Sequence, residues 1–217
     1  MDFVQARTNM VDTQLRTNRI DDPSVLAAMG SVPREVFLPK ALHGVAYADE
    51  DLGLADGQFL IEPLALSRLL QAAEIGADDV SLVLGCDTGY VAAVVSNLTA
   101  TVINMQRSDE AAARIQPVLD SIEADNVVNS IAADALAGDP SQAPYDAILI
   151  IGSIPAIPEQ LIEQLNDGGR LVAVVGQGRL GKGVLVTKIH GSPASQVLFD
   201  AHIPALSGLE KTAAFAF

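Results

Sequence analysis

From residue 76 onward, short apolar runs alternate with amphipathic stretches at a spacing of about 20 to 25 residues, the length that a strand, a crossover helix and two turns occupy. The run at 80–84, ending at Gly85, has the signature of a strand covered on both faces, and the runs at 100–105, 127–132, 145–151 and 171–175 read as four further strands. Between them, Ile115, Val118, Leu119 and Ile122 fall on one helical stripe, while Asp109, Glu110, Asp120 and Glu123 occupy the rest of that helix. Pro158, Leu161, Ile162 and Leu165 stripe a second helix, predicted to stop at Gly168-Gly169. Another helix is expected from Gly89. The pattern predicts an α/β fold with a doubly wound, mainly parallel sheet. Runs at 184–189 and 197–203 have no helical segment between them and are expected to close it as an antiparallel pair.

Residues 1–75 read instead as short helices separated by turns. Asp22-Pro23 supplies a cap followed by a proline at the first helical position, which predicts a helix from Pro23 to about Gly30, stopped at Val32-Pro33. Leu66, Leu69, Leu70 and Ala73 stripe a further helix from Pro63. The expected organisation is a helical extension over 1–75 and an α/β core over 76–217.

With 49% hydrophobic and 18% charged residues, the composition excludes a disordered chain. The formal net charge is −14, and residues 51–150 hold fifteen acids against three bases, a distribution that repels a phosphate backbone and excludes nucleic acid as the main partner. Cys86 is the only cysteine, so neither an internal disulfide nor a multi-thiolate metal site is possible. His43, His190 and His202 lack ligand spacing, and no metal is expected. The amino-terminal residues carry no apolar run of signal length and no stretch approaches eighteen apolar residues, which predicts a cytoplasmic chain without a membrane partner.

In an open parallel sheet, ligands bind beyond the carboxyl ends of the strands, where the strand order reverses. The loop after the first strand is Gly85-Cys86-Asp87-Thr88-Gly89-Tyr90, two glycines four apart between a strand and a helix, where glycine lets backbone approach a ligand closely. Cys86 has no histidine near it in the pattern and reads as a small buried thiol, not a nucleophile. A second glycine cluster, Gly176 to Lys182, matches phosphate-loop expressions, but Gly183 stands where magnesium needs a hydroxyl and a strand follows; it is expected to be a flexible strand connection. At the end of the second strand, Gln106, followed by Arg107, stands where a ribose-binding acid belongs. An amide cannot form the bidentate acceptor of a carboxylate, which argues against a nicotinamide enzyme.

The chain resembles the protein-L-isoaspartate O-methyltransferase family over nearly its whole length. The resemblance lies in Met10-Val11-Asp12-Thr13-Gln14-Leu15-Arg16, Val32-Pro33-Arg34, Phe37-Leu38-Pro39, Tyr47-Ala48-Asp49, Gly57-Gln58, Pro144-Tyr145-Asp146-Ala147-Ile148 and Gly168-Gly169-Arg170-Leu171-Val172. It implies a Rossmann-like methyltransferase sheet and S-adenosylmethionine-dependent methylation of isoaspartyl carboxylates in damaged proteins or peptides. It further implies a cofactor site at Gly85, Cys86, Asp87, Gly89, Tyr90, Gln106, Arg107, Asp134 and Ala135, and a substrate segment at Gly57, Gln58, Phe59, Ile61, Glu62 and Pro63. Departures concentrate at these positions. The family's Thr-Ile-Ser-Gln-Pro is Phe59-Leu60-Ile61-Glu62-Pro63, so Ile61 stands at the serine thought to act in catalysis. Val83 stands at the usual acid before the glycine loop, Asp87 at its middle glycine, and Ala133-Asp134-Ala135 at Gly-Asp-Gly. Ile151 and Ile154 are expected to make the mouth apolar. Two readings follow: carboxyl methylation, weakened or redirected, and a non-catalytic binding or scaffold protein. A homodimer is an open alternative, and the apolar end Phe215-Ala216-Phe217 is expected to dock on its own sheet.

Overall fold

The computed structural model describes residues 1–85, 87–177 and 180–206. Helix α1 (Phe3–Asn9) widens into a π-helical turn over Met10–Leu15 and tightens at Arg16–Asn18 before Arg19 leaves it in a left-handed conformation. Helix α2 (Pro23–Ser31) starts as the sequence predicts: the Asp22 carboxylate accepts the backbone N–H groups of Ser24 at 2.7 Å and Val25 at 3.2 Å. Strands β1 (Leu52–Gly53) and β2 (Phe59–Leu60) form a small antiparallel ladder that the sequence did not announce. Helix α3 (Pro63–Ala73) then buries Leu66, Leu69, Leu70 and Ala73, its predicted stripe.

The α/β part contains β3 (Val80–Leu84), α4 (Tyr90–Val95), β4 (Thr101–Gln106), α5 (Asp109–Ser121), β5 (Val127–Ile131), β6 (Tyr145–Ile154), α6 (Glu159–Glu163), β7 (Leu165–Gln177), β8 (Leu180–Ile189) and β9 (Ser192–Ala201). The sheet order is β5-β4-β3-β6-β7-β8-β9, parallel from β5 to β7 and antiparallel thereafter. Strand order reverses between β3 and β6, which places the switch-point crevice at their carboxyl ends. Alternate residues on these strands serve two apolar layers: Leu82, Leu84, Ile148 and Ile150 face one, Val83, Leu149 and Ile151 the other. The second layer is continuous with Met10, Leu15, Met29 and Leu66, so the amino-terminal helices and the sheet share one core.

The structure differs from expectation in α6 and in β6. Helix α6 ends at Glu163, not at the glycine pair, because Leu165 already pairs with Tyr145 and the Tyr145 N–H donates to the Gln164 carbonyl at 2.9 Å. Residue 165 belongs to a bulged strand, so its place on the helical stripe is coincidental. Strand β6 continues to Ile154, and Ile151 and Ile154 are strand core, 2% and 0% exposed, and not a lining of the mouth. The Gly176–Lys182 cluster joins two strands, as expected, with Gly176 paired to Gly181 and Gln177 to Leu180. Gly178, Arg179 and Phe215-Ala216-Phe217 lie outside the described residues, as does Cys86. Among the described residues, no helix is long and apolar enough to cross a membrane.

Arg170 on β7 ties the two parts of the chain together. Its Nε donates to the Ala73 carbonyl at 2.8 Å and its Nη2 to the Glu74 carbonyl at 2.7 Å, satisfying carbonyls left open at the end of α3, while Nη2 also pairs with Asp79 at 2.6 Å. Removing the guanidinium leaves these acceptors without a partner. Arg170→Ala is expected to lower stability by about 2 kcal/mol in urea unfolding.

Candidate functional site

The crevice between β3 and β6 is closed on one side by the chain itself. Gly85 ends β3 at φ +78°, and a Cβ there would lie 2.3 Å from both the Ile151 carbonyl oxygen and Leu206 Cδ1. Gly152 meets the same neighbour: its Cβ would fall 2.6 Å from Leu206 Cα. Residues 203–206 reach this point through two hydrogen bonds with Ser153, whose N–H donates to Pro204 at 2.8 Å and whose carbonyl accepts Leu206 N–H at 2.9 Å. The glycine requirement at 85, read from the sequence as room for a ligand, is therefore set at least on this side by the protein's own Leu206 and Ile151. Gly89, at φ +82°, turns the loop into α4, where a Cβ would touch Ile115 at 3.4 Å. Gly85→Ala is expected to cost about 2 kcal/mol or more, from left-handed strain plus overlap. Adding Leu206→Ala should restore part of that loss in thermal unfolding, and no recovery would assign the cost to the backbone alone.

Of the other predicted cofactor residues, Asp87 follows β3, Gln106 and Arg107 stand at the end of β4, and Asp134 follows β5. The Asp87 carboxylate is buried and pairs with Arg107 Nη2 at 3.2 Å, joining the glycine loop to the end of β4. Burial pushes its pKa up, against the opposing pull of Arg107 and Arg114. Gln106 ends β4 with its side chain 1% exposed, and its carbonyl accepts Ala132 N–H at 2.9 Å. Asp134 is exposed and uses one carboxylate oxygen to accept Leu136 N–H at 2.9 Å, starting the turn Ala135–Ala137. Tyr90 opens α4 directly after the loop, its N–H donating to Thr88 Oγ1 at 3.3 Å. Its ring packs edge-on against Phe37 with centroids 5.5 Å apart and its hydroxyl reaches Met29 Sδ, so the side chain serves the amino-terminal layer.

The predicted substrate segment is linked to Tyr90 through Arg34. Gly57, at φ +72°, closes the turn between β1 and β2, with Leu54 N–H donating to the Gln58 carbonyl at 2.8 Å. Phe59 is half-buried on β2, Ile61 is 1% exposed, and Pro63 begins α3. Two features here escaped the sequence reading. Arg34 is fully buried, with Nε donating to the Ala46 carbonyl at 2.7 Å, Nη2 to the Ile61 carbonyl at 2.9 Å, and its guanidinium 4.8 Å from the Tyr90 ring centroid. It thereby fastens the substrate segment to the helix that follows the glycine loop. Asp51 and Asp49 accept the N–H groups of Glu62 at 2.9 Å and Leu64 at 3.3 Å, capping α3 from a distant segment. A motif that reads Val-Pro-Arg signals the turn but not the burial of its arginine.

Glu62 stands beside these acids. Burial, then the charges of Asp51 and Asp49, push its pKa from the ordinary 4.5 up to about 7, with Arg68 opposing. The folded state therefore holds more protons than the unfolded chain between pH 4.5 and about 7, and stability falls as pH rises through that window. Glutamine does not titrate. Glu62→Gln is expected to raise the melting temperature more at pH 8 than at pH 5, and an equal gain at both would disprove the shift.

Sheet order, switch-point loop and helical layer together define a Rossmann-like methyltransferase fold. A solved protein-L-isoaspartate O-methyltransferase superposes with a TM-score of 0.81 at 21% identity, covering 93% of this chain and 66% of that longer one. The Plasmodium falciparum protein of that designation, solved with S-adenosyl-L-homocysteine, gives 0.73 at 20% identity over 92% and 97% of the two chains. In sequence, the profile of the family described as Protein-L-isoaspartate(D-aspartate) O-methyltransferase matches residues 5–202. The Koribacter versatilis protein-L-isoaspartate O-methyltransferase is 37% identical over 206 residues, 95% of this chain and 92% of that protein. That of Methanoculleus marisnigri is 39% identical over 170 residues, 78% and 77% of the two. The chain belongs to the protein-L-isoaspartate O-methyltransferase family, whose class reaction is S-adenosylmethionine-dependent methylation of isoaspartyl carboxyl groups.

Proposed function

We propose that this chain carries out the family reaction itself, binding S-adenosylmethionine along the ends of β3, β4 and β5 and taking isoaspartyl carboxylates of damaged proteins or peptides beneath the 57–63 segment. The observation that supports it most is the Arg34 bridge, which holds that segment against the first helix after the glycine loop with fully buried bonds. Substrate and cofactor elements are thus kept in one fixed relation, and for this chemistry alignment supplies most of the rate.

The donor set suits the cofactor. Asp87 offers a buried carboxylate, one oxygen of which pairs with Arg107, for an ammonium or sulfonium, Gln106 an amide for a ribose hydroxyl, and Asp134 an exposed carboxylate with one oxygen uncommitted to its backbone cap. When bound, S-adenosylmethionine supplies a methyl group on a sulfonium, open to displacement by a carboxylate oxygen. That nucleophile is already anionic, so the protein need not supply a general base. Ile61 offers no hydroxyl to position it, a loss of about 1–3 kcal/mol of orientation if the serine bond is made in relatives. Leu60 and Ile61, both 1% exposed, instead turn into the shared apolar core.

Incubation with labelled S-adenosylmethionine and an isoaspartyl peptide is expected to label the peptide, with the aspartyl isomer as control. No label, together with no calorimetric heat for the cofactor, would assign the chain to binding or scaffolding. Asp87→Gly is expected to weaken S-adenosylmethionine about tenfold in calorimetry, the loss of one charge-assisted contact. Unchanged or tighter binding would remove Asp87 from the site.

A further inference from the structure

Resting on that methyltransferase reading, we propose that Glu62 decides when an acceptor carboxylate is admitted: protonated, it donates a hydrogen bond to the incoming carboxylate, and ionised, it repels it. The geometry begins with a single peptide unit. The carbonyl of Ile61 accepts Arg34 Nη2 at 2.9 Å, and the N–H on the other side of that same amide, from Glu62, donates to Asp51 Oδ1 at 2.9 Å. A buried cation and a half-buried anion thus hold opposite ends of one amide plane, and Arg34 is itself locked by the Ala46 carbonyl and the Tyr90 ring. The Glu62 carbonyl is committed as well, accepting Leu66 N–H at 3.2 Å as α3 begins. With the backbone pinned on every side, the side chain leaves in a set direction.

It lines a hollow of about 370 Å³. Asp49, Glu50 and Asp51 face it from the segment before β2, Arg68 from α3, and Asp200 and His202 from the end of β9. Burial first, and then the neighbouring carboxylates of Asp51 and Asp49, make the ionisation of Glu62 costly and raise its pKa to about 7, while the Arg68 guanidinium opposes them and offers the hollow a positive charge. The family motif carries glutamine here. A neutral glutamic acid has nearly that shape and can donate as glutamine does; the ionised form only accepts. The substitution converts a permanent donor into one that depends on pH, next to the position where the serine hydroxyl is lost.

The test is the affinity of a fluorescein-labelled isoaspartyl peptide, read by anisotropy at pH 6 and pH 8, with methylation kinetics alongside. The native protein is expected to bind about tenfold more weakly at pH 8, with KM rising in parallel, whereas Glu62→Gln should hold the peptide equally at both. A peptide whose isoaspartyl carboxyl is already a methyl ester carries no charge there, and its binding to the native protein should not change with pH. A native affinity flat across this range, or a fall that persists in Glu62→Gln or with the ester, would overturn the proposal. If both proteins methylate the peptide with one pH profile, only the role of Glu62 fails. If neither methylates it nor binds S-adenosylmethionine, the methyltransferase reading fails and this inference with it.

Discussion

Burial of β3 and β6 on both faces is the constraint from which the rest of the architecture follows. Neighbouring residues on each strand point into opposite apolar layers, so neither strand can slip by one residue without exchanging its partners on both sides. Because the two strands are parallel neighbours at the point of reversal, their following loops diverge and leave a crevice between them. Leu206 then packs into the angle, and the glycines at 85 and 152 are the positions at which backbone must yield to it. The candidate site inherits its frame from apolar packing, and the polar residues are placed by that frame.

Polar groups near the substrate segment are arranged to hold backbone more than to present side chains. Arg34, Asp49 and Asp51 spend their hydrogen bonds on carbonyl and N–H groups of residues 46, 61, 62 and 64. Replacement of the family's serine by Ile61 removes a hydroxyl but leaves this scaffold in place, since the contacts at that residue run through its carbonyl. The same holds at the glycine loop: Asp87 stands at a usual glycine, and its carboxylate is taken up by Arg107 across to β4. These changes alter what the crevice offers a ligand more than they alter its walls.

Much of the fold was legible because periodicity reports burial. The five parallel strands are readable from mainly apolar runs at regular spacing, even in β5, where Val128 and Ile131 are exposed, and α2 and α3 from a cap, a proline and a stripe. Helix α6 was over-extended because Leu165 satisfies the helical spacing by accident, while its backbone is claimed by Tyr145 across the sheet. Long-range contacts leave no periodic trace. Nothing local to Leu206 announces that it meets Gly85, and nothing near Arg34 announces a buried guanidinium stacked on Tyr90. Residue types at the candidate site were visible through resemblance; their pairings, such as Asp87 with Arg107 and Asp51 with the Glu62 amide, required coordinates.

The apolar layer that joins Met10, Leu15 and Met29 to Val83 and Leu149 has a consequence for how such a chain can diversify. An amino-terminal layer that shares its interior with the sheet is not a cassette to be exchanged whole between relatives, since any graft would have to match a common interior on both sides of the seam. Change is channelled instead to half-buried rim residues, such as Glu62, whose side chains leave the interior undisturbed.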